Sequence, residues 1–407
     1  MLTNFALCWA MKAKIRPKRG EPTGLTRETA RGRYIMAQDK PAAAQSRFTG
    51  PAPGQHKKGG PGPAFAAIDL GTNNCRMLIA RRAGRSFRII DAFSRIVRLG
   101  GGLTETGRLN DAAMDNVVSA LGVCAEKMNR REVVKYRAVA TQACRLAENG
   151  PELMQRIKTE TGLDFDIITA EEEARLAVLG CLDLMDEAYD VALVVDIGGG
   201  STELSWVDLA QWRERGGFDS GGRPPVRTWA SAPVGVVTLS EHIPEAVHGD
   251  EWYEAMKAFA SDAIRTPRGA RKLKTLFTSG RAHMIGTSGT ITSVAGVHMG
   301  LPRYERSLVD GSWMMAADAR AACLDLASKD IDGRAANPVI GRDRADLVLA
   351  GCAILEVVMD KWPVEKIRVG DRGLREGLLL NLMRKPKRRR KRSNKDGGAK
   401  ATPKAAE

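Results

Sequence analysis

The chain has few histidines, no closely spaced cysteine pair and no long apolar run. Its five histidines form no cluster with cysteine, so the ligand spacing of a structural zinc site is missing. Its seven cysteines are odd in number and widely scattered, which favours reduced thiols over a disulfide framework. No apolar run approaches the roughly 20 residues of a membrane span. In the N-terminal segment the charges follow the apolar part, which is the wrong order for a secretory signal. We therefore expect a cytoplasmic protein without a membrane partner.

The formal net charge of +15 is concentrated at the two ends of the chain. Residues 1–63 contain 12 basic and 3 acidic residues, and residues 384–407 contain 11 and 2. The remainder has 40 basic and 43 acidic residues, so the folded part is nearly neutral. This distribution predicts disordered basic tails at 1–63 and 385–407 and argues against a fold that binds specific nucleic acids. Weak, salt-sensitive contact between the tails and polyanions remains compatible with it.

The stretch Val191–Asp208 combines an apolar run, a terminal carboxylate and three consecutive glycines. The apolar run ends at Asp196, the glycines are followed by Ser201, and Glu203 begins a second β-prone run. This pattern predicts a hairpin whose tip offers backbone N–H groups to an anion. Because carboxylates flank the tip on both sides, we expect a divalent cation between the protein and a phosphate group.

A second stretch, 64–80, repeats this design, with an apolar strand that ends at Asp69 and a turn that begins at Gly71. A third glycine loop, 286–290, precedes a predicted helix. Neither hairpin is a Walker A loop, because no Gly-Lys-Ser/Thr follows, and neither is a dinucleotide-binding fingerprint, because each turn leads into a strand. A plain glycine hairpin needs no terminal Asp. The repetition therefore favours phosphate binding.

The apolar periodicity predicts an α/β protein in two halves. The main predicted elements are strands at 86–99, 136–140 and 229–238, helices at 111–130, 252–266 and 374–383, and a loop at 210–228. The most regular amphipathic pattern lies at 347–359. Thr169 and Glu172 fit a capping box that begins another helix. The two hairpins would face each other across a cleft, which suggests an internal duplication.

Residue type alone leaves the acidic candidates ambiguous. Asp69, Asp196 and Glu203 lie at the ends of apolar strands, which favours metal or water ligands, although most hairpin acids are solvated turn residues. Glu173 lies in the first turn of a predicted helix, where an acid ordinarily only complements the helix dipole. Its neighbours Glu171 and Glu172 would serve that purpose equally well.

Two arginines follow polar loops at the expected edge of the cleft. Arg76 and Arg145 could each clamp a phosphate, and each is equally well explained as an ordinary surface arginine. Cys144 lies beside Arg145, but no histidine lies near it in the sequence to activate its thiol, so we interpret it as structural.

Together these motifs resemble the exopolyphosphatase/guanosine pentaphosphate phosphatase (Ppx/GppA) family, within the actin–Hsp70–sugar kinase superfamily. The motifs are DLGTNNCRMLIA at 69–80, ATQACR at 140–145, ITAEEEARL at 168–176, VVDIGGGSTELSW at 194–206 and GTSGTITSVAG at 286–296. The resemblance covers about 64–384. It implies two ribonuclease-H-like α/β domains that flank a cleft, one formed by 64–170 with a returning helix at 370–384 and the other by 171–369.

The resemblance also implies roles for individual residues. Glu173 corresponds to a catalytic base that activates water. Asp196 and Glu203 correspond to acids that hold Mg²⁺, or Mn²⁺, or the attacking water, and Asp69 corresponds to the acid of the first loop, which we assign to the same metal. The implied phosphate-binding residues are Gly71, Thr72, Asn73, Arg76, Arg145, Gly198, Gly199, Gly200 and Ser201. Asn74 stands where many relatives have serine.

The implied reaction is release of terminal orthophosphate from inorganic polyphosphate, or of the 5′ phosphate from guanosine pentaphosphate, a nucleotide of the stringent response. The length matches the short, two-domain branch of the family, without the HD-type C-terminal region of long relatives. Two alternatives stay open, namely an ATP-dependent kinase of the same fold and a non-catalytic sensor of polyphosphate or nucleotides. The preferred substrate and the oligomeric state, a homodimer included, stay open as well.

Overall fold

The structure is a computed structural model and describes residues 47–50, 62–84, 86–220, 222–245 and 250–384. The predicted tail 385–407 and most of the predicted tail 1–63 lie outside these residues. Residues 47–50 belong to the predicted N-terminal tail, yet they pack on the folded part. The Phe48 N–H donates to the Thr161 carbonyl at 2.8 Å, and its ring meets Tyr136 edge-on at 5.2 Å. This short segment therefore departs from the prediction of disorder.

The first sheet begins with the predicted hairpin, whose alternately packed apolar residues form one core. Its strands are β1 (Ala64–Leu70), β2 (Asn74–Ala83), β3 (Ser86–Ile96), β4 (Val133–Ala140) and β5 (Phe165–Ile167). The strand order is β3-β2-β1-β4-β5, with β1 antiparallel to β2 and parallel to β4. The helices of this half are α1 (Leu103–Thr106), α2 (Asp111–Arg130), α3 (Gln142–Leu146) and α4 (Gly150–Thr161).

The second sheet repeats the first. After α5 (Ala170–Gly180), its strands are β6 (Val191–Ile197), β7 (Thr202–Asp208), β8 (Val226–Ala232), β9 (Ala282–Thr287), β10 (Trp313–Met315) and β11 (Lys366–Gly370). The series β8-β7-β6-β9-β11 has the order and strand directions of the first sheet, and β10 adds an antiparallel edge. The predicted α/β class with two ribonuclease-H-like sheets is thus confirmed.

The remaining helices cover the second sheet or connect the two halves. They are α6 (Leu209–Glu214), α7 (Val236–His242), α8 (Asp250–Ala263), α9 (Arg268–Arg271), α10 (Lys274–Thr278), α11 (Ser288–His298), α12 (Arg306–Val309), α13 (Ala316–Ala327), α14 (Ile331–Ala336), α15 (Val348–Lys361) and α16 (Leu374–Met383), with 3₁₀ turns at Leu182–Leu184 and Gly217–Ser220. Within the described residues, no helix is long and apolar enough to cross a bilayer.

Helices α5 and α16 cross between the two halves with their backbones in contact. A Cβ atom on Gly180 would collide with the carbonyl oxygen of Gly373, and a Cβ atom on Gly377 would collide with that of Leu176. Both crossing points therefore require glycine. Helix α16 also packs on β1 and β4, and α5 packs on β7, so the crossing helices connect the two sheets.

Three local predictions are wrong. Residues 236–238 begin helix α7 and do not extend a strand, because the N–H groups of Val236 and Val237 donate to the carbonyls of Gly198 and Gly199 at 3.0 and 2.8 Å. The predicted loop 210–228 contains α6, which Asp208 caps by accepting from the Gln211 N–H. Helix α15 is not amphipathic, since residues 348–359 are all buried between α8, α11 and α13.

Candidate active site

The tips of the two glycine hairpins meet in one cleft between the sheets. Of the predicted site residues, those that line it are Asp69, Gly71, Thr72, Asn73, Arg76, Glu173, Asp196, Gly198, Gly199, Gly200, Ser201 and Glu203. Arg145 is the one predicted residue that is absent from this lining. The third glycine loop reaches the same cleft through Thr287 and Ser288.

The two hairpin tips supply backbone donors that the protein itself does not use. In the described part of the chain, the amides of Thr72, Asn73, Gly199 and Gly200 donate to no acceptor. The tips also interlock, because a Cβ atom on Gly199 would lie 2.9 Å from the Thr72 Cβ and 3.1 Å from the Asn73 nitrogen. Closely packed N–H groups of this kind form an anion-binding concavity.

Strand register places a charged pair behind each tip. Asp69 is opposite Arg76 in the β1–β2 pair, and Asp196 is opposite Glu203 in the β6–β7 pair. Glu203 is only 3% exposed, and its carboxylate accepts from the Ser231 hydroxyl at 2.8 Å. The first hairpin therefore carries opposite charges and the second carries two like charges.

Burial and mutual repulsion raise the pKa values of the acids in the cleft. Burial raises the pKa of Asp196 to about 7, and the carboxylates of Glu203 and Asp69 contribute to the increase. Burial and then Glu203 raise the pKa of Glu173 well above its ordinary value. Burial also raises the pKa of Glu203, and hydrogen bonds from Ser201 and Ser231 partly offset this increase. A bound cation would stabilise the charged form of each acid.

The oxygen chemistry of Asp196 and Glu203 suits a divalent cation. Among the residues that the structure describes, no three His, Cys, Asp or Glu side chains are close enough to enclose a metal ion by themselves. Mg²⁺ in phosphate-binding sites commonly takes one or two carboxylates and completes its shell with phosphate oxygens and water. Asp196 and Glu203 are adjacent hard oxygen donors in a buried, anion-rich site. Their chemistry suits that kind of binding.

Arg145 lies behind the cleft and contacts the predicted base. Its Nη1 atom donates to the Ile168 carbonyl at 2.7 Å and lies 3.4 Å from the Glu173 Oε2 atom. The structure thus places Arg145 against a carboxylate. The neighbouring Glu172 is turned away, since its carboxylate pairs with Arg137 at 2.6 Å, so only the Thr169 half of the predicted capping box forms.

The thiol beside Arg145 is buried. Burial raises the pKa of Cys144 to about 12, and this disfavours a nucleophilic thiolate. Cys144 and the other cysteines in the described ranges are free thiols. The sequence-based interpretation of Cys144 as structural agrees with this environment.

Sequence reasoning missed two polar residues of the cleft wall. Arg375, in the first turn of α16, lines the cleft, and its charge partly offsets the increase that burial causes in the pKa values of Asp69 and Asp196. Gln142, at the start of α3, lines the opposite wall. Each lies within a segment that resembles the family, GLREGLL at 373–379 or ATQACR at 140–145. The pattern of either segment alone does not indicate that the side chain reaches the cleft.

Known structures share this architecture. An exopolyphosphatase-like protein is 26% identical with a TM-score of 0.68, over 78% of this chain and 98% of that chain. The Aquifex aeolicus PPX-GPPA enzyme is 27% identical with a TM-score of 0.63, over 78% and 99%. An exopolyphosphatase from Cytophaga hutchinsonii, 22% identical with a TM-score of 0.67 over 78% and 97%, shares the fold.

The sequence model of the Ppx/GppA phosphatase family matches residues 78–386, which is most of the chain and begins within β2, after the tip of the first glycine hairpin. The order of the glycine loops, the paired sheets and this match agree with the resemblance in the sequence motifs. The chain belongs to the Ppx/GppA phosphatase family.

Proposed function

We propose that this chain hydrolyses the terminal phosphoanhydride bond of inorganic polyphosphate, or of the 5′ end of guanosine pentaphosphate, and releases orthophosphate. The observation that carries the proposal is that unused N–H donors from both hairpins and four acidic side chains line one cleft; Glu203 is buried, and Asp69, Glu173 and Asp196 are partly buried. The donors match the phosphate oxygens, and the acids match a base and a cation.

In this proposal, the two tips hold the terminal phosphate. The N–H groups of Thr72, Asn73, Gly199 and Gly200 donate to its oxygens, and Arg76 adds a positive charge. Asp196 and Glu203 would hold Mg²⁺ or Mn²⁺, which when bound neutralises charge on the phosphate oxygens. No covalent intermediate is required, since positioning and electrostatic stabilisation suffice for phosphoryl transfer to water.

Glu173 is the proposed base that accepts a proton from the attacking water. Burial and the charge of Glu203 raise the pKa of Glu173, whereas the nearby Arg145 guanidinium lowers it and so favours the ionised carboxylate. A carboxylate with a raised pKa is a stronger base than an ordinary one, provided that it is ionised at the working pH. Arg145 therefore serves the base and not the phosphate in this scheme.

The proposal is tested by measuring orthophosphate release from polyphosphate and from guanosine pentaphosphate, with and without Mg²⁺ or Mn²⁺. We expect Glu173→Gln to lower kcat by about 10²- to 10⁴-fold. Glu172→Gln is a matched control on the same helix, because Glu172 pairs with Arg137 and is absent from the cleft lining. It should retain activity within about twofold of the wild type.

Three outcomes would contradict the proposal. No turnover on either substrate would favour a non-catalytic sensor. Phosphate transfer that required an acceptor other than water would favour a kinase. Equal losses in Glu173→Gln and Glu172→Gln would remove Glu173 from the role of base.

A further inference from the structure

Gln142 is a buried polar residue of the cleft to which the proposed function assigns no role. It is the first residue of α3, is 7% exposed and lines the cleft. Its Oε1 atom is sealed from solvent and has no hydrogen-bond partner. Its amide nitrogen likewise has no partner within the described residues. Both ends of this amide are therefore unused by the fold.

The amide is held at the junction of the two halves. A Cβ atom on Gly200, in the second hairpin tip, would collide with the Gln142 Oε1 atom and would lie 2.9 Å from its Cδ and 2.8 Å from the Thr72 hydroxyl. The oxygen end of Gln142 is thus packed against Gly200. Because the oxygen is the sealed end, the amide nitrogen is the end left to the cleft.

Asn149, a second buried side-chain amide in the same half, has a structural role and serves as a comparison for Gln142. Asn149 is 5% exposed, and its Oδ1 atom accepts from the Leu109 N–H at 2.8 Å while its Nδ2 atom donates to the Leu109 carbonyl at 3.0 Å. Buried amides that serve a fold are satisfied in this way. The unpaired amide of Gln142 is an exception that calls for a ligand.

We propose that Gln142 is a substrate-positioning residue whose side-chain amide donates to a phosphate oxygen held between the two hairpin tips. This inference rests on the proposed function, because it assumes that the cleft holds a phosphate chain. An ionised phosphate chain offers acceptors only, and the free end of Gln142 is a donor. Since Gln142 belongs to one half and packs on Gly200 of the other, it binds the phosphate only where the two tips meet.

The test measures binding of tripolyphosphate by calorimetry to the full chain carrying Glu173→Gln, which keeps the ligand intact. Salt at about 0.2 M reduces contact with the basic ends. In this background Gln142→Met keeps the packing against Gly200 and removes the donor, and we expect affinity about 10- to 100-fold weaker. Gln142→Glu has the same shape but presents an acceptor, so its affinity should fall further.

Asn149→Asp is the matched control. It should bind tripolyphosphate as its parent does and melt at a lower temperature, whereas Gln142→Met should melt close to the parent. In chains with Glu173 intact, Gln142→Met should raise KM for polyphosphate more than it lowers kcat, which loss of packing alone would not do.

Affinity of Gln142→Met within twofold of the parent would overturn the proposal and leave Gln142 a packing residue. If the chain with Glu173 intact binds tripolyphosphate but releases no phosphate from either substrate, the proposed function fails, while the binding comparison still decides the role of Gln142. If neither the wild type nor the Glu173→Gln parent binds tripolyphosphate, the proposed function and the proposed role of Gln142 are both overturned.

Discussion

The two glycine hairpins have the same backbone design and opposite electrostatics. In the first, Asp69 lies across from Arg76, and in the second, Asp196 lies across from Glu203 at the equivalent register position. Burial raises the pKa of Asp69, but Arg76 counteracts it. For Asp196, the carboxylates of Glu203 and Asp69 reinforce burial, and its pKa rises to about 7. The electrostatic difference between the two hairpins thus comes from one cross-strand position, which is Arg76 in the first and Glu203 in the second.

This difference suggests a division of labour on a duplicated scaffold. An acid–arginine pair behind unused N–H groups suits an anion, whereas two adjacent acids suit a cation. A phosphate chain with its bound cation needs both environments side by side.

Giving the second hairpin the pairing of the first should have the largest effect. Glu203→Arg places a guanidinium opposite Asp196. We expect the rate of phosphate release to fall by about 10²- to 10³-fold and its stimulation by Mg²⁺ to be lost. Glu203→Gln preserves the shape and should show the same direction. Ser231→Ala is the control, because it removes a donor and keeps the carboxylate. Full Mg²⁺ dependence in Glu203→Gln would contradict the assigned cation site.

A methyl group added to the second tip should lower activity about 10²-fold more than a methyl group added to the first tip. Gly200→Ala would bring its Cβ atom into collision with Gln142 and to 2.8 Å from the Thr72 hydroxyl. Gly71→Ala would place its Cβ atom 3.5 Å from the Asn74 carbonyl, which is an ordinary contact. We therefore expect a severe loss only for Gly200→Ala. Steady-state assays on both variants check this, and equal activities would show that the tips need not interlock.

Removing the positive charge of the first hairpin should weaken substrate binding. For Arg76→Gln we expect KM to rise by about 10- to 100-fold, because a charge-assisted contact to phosphate is lost. Arg95→Gln is a control on β3, where Arg95 is exposed and its Nη1 atom lies 3.3 Å from the Ser119 hydroxyl. A change in kcat alone for Arg76→Gln would argue against a role in binding.

The acidic hairpin should also affect stability as a function of pH. The pKa of Asp196 is raised in the fold, so its contribution to stability is fully present below about pH 4 and is lost as the pH rises through about 7. Without divalent cations, the melting temperature should therefore fall between pH 5 and 8. Asp196→Asn should reduce that fall by about 2–4 °C. Mg²⁺ should raise the wild-type melting temperature more at pH 8 than at pH 5, and the opposite order would contradict the cation site.

Features that depend on local pattern could be predicted from the amino-acid sequence. Apolar runs with terminal acids and glycine turns specified both hairpins, and a two-residue period together with a short turn places Asp196 opposite Glu203. The apolar spacing also predicted α2 and α16 with the bounds that the structure has. These features follow from interactions among residues close together in the chain.

Which side chains converge in the cleft depends on contacts between segments that are far apart in the chain. The family resemblance assigns Arg145 to phosphate binding, and the structure adds that it contacts Glu173, because α3 and α5 start beside each other at the carboxyl ends of β4 and β5. Gln142 gains its unpaired position through contact with Gly200, a residue of the other half. Such contacts join distant segments, and sequence periodicity carries no information about the distance between them.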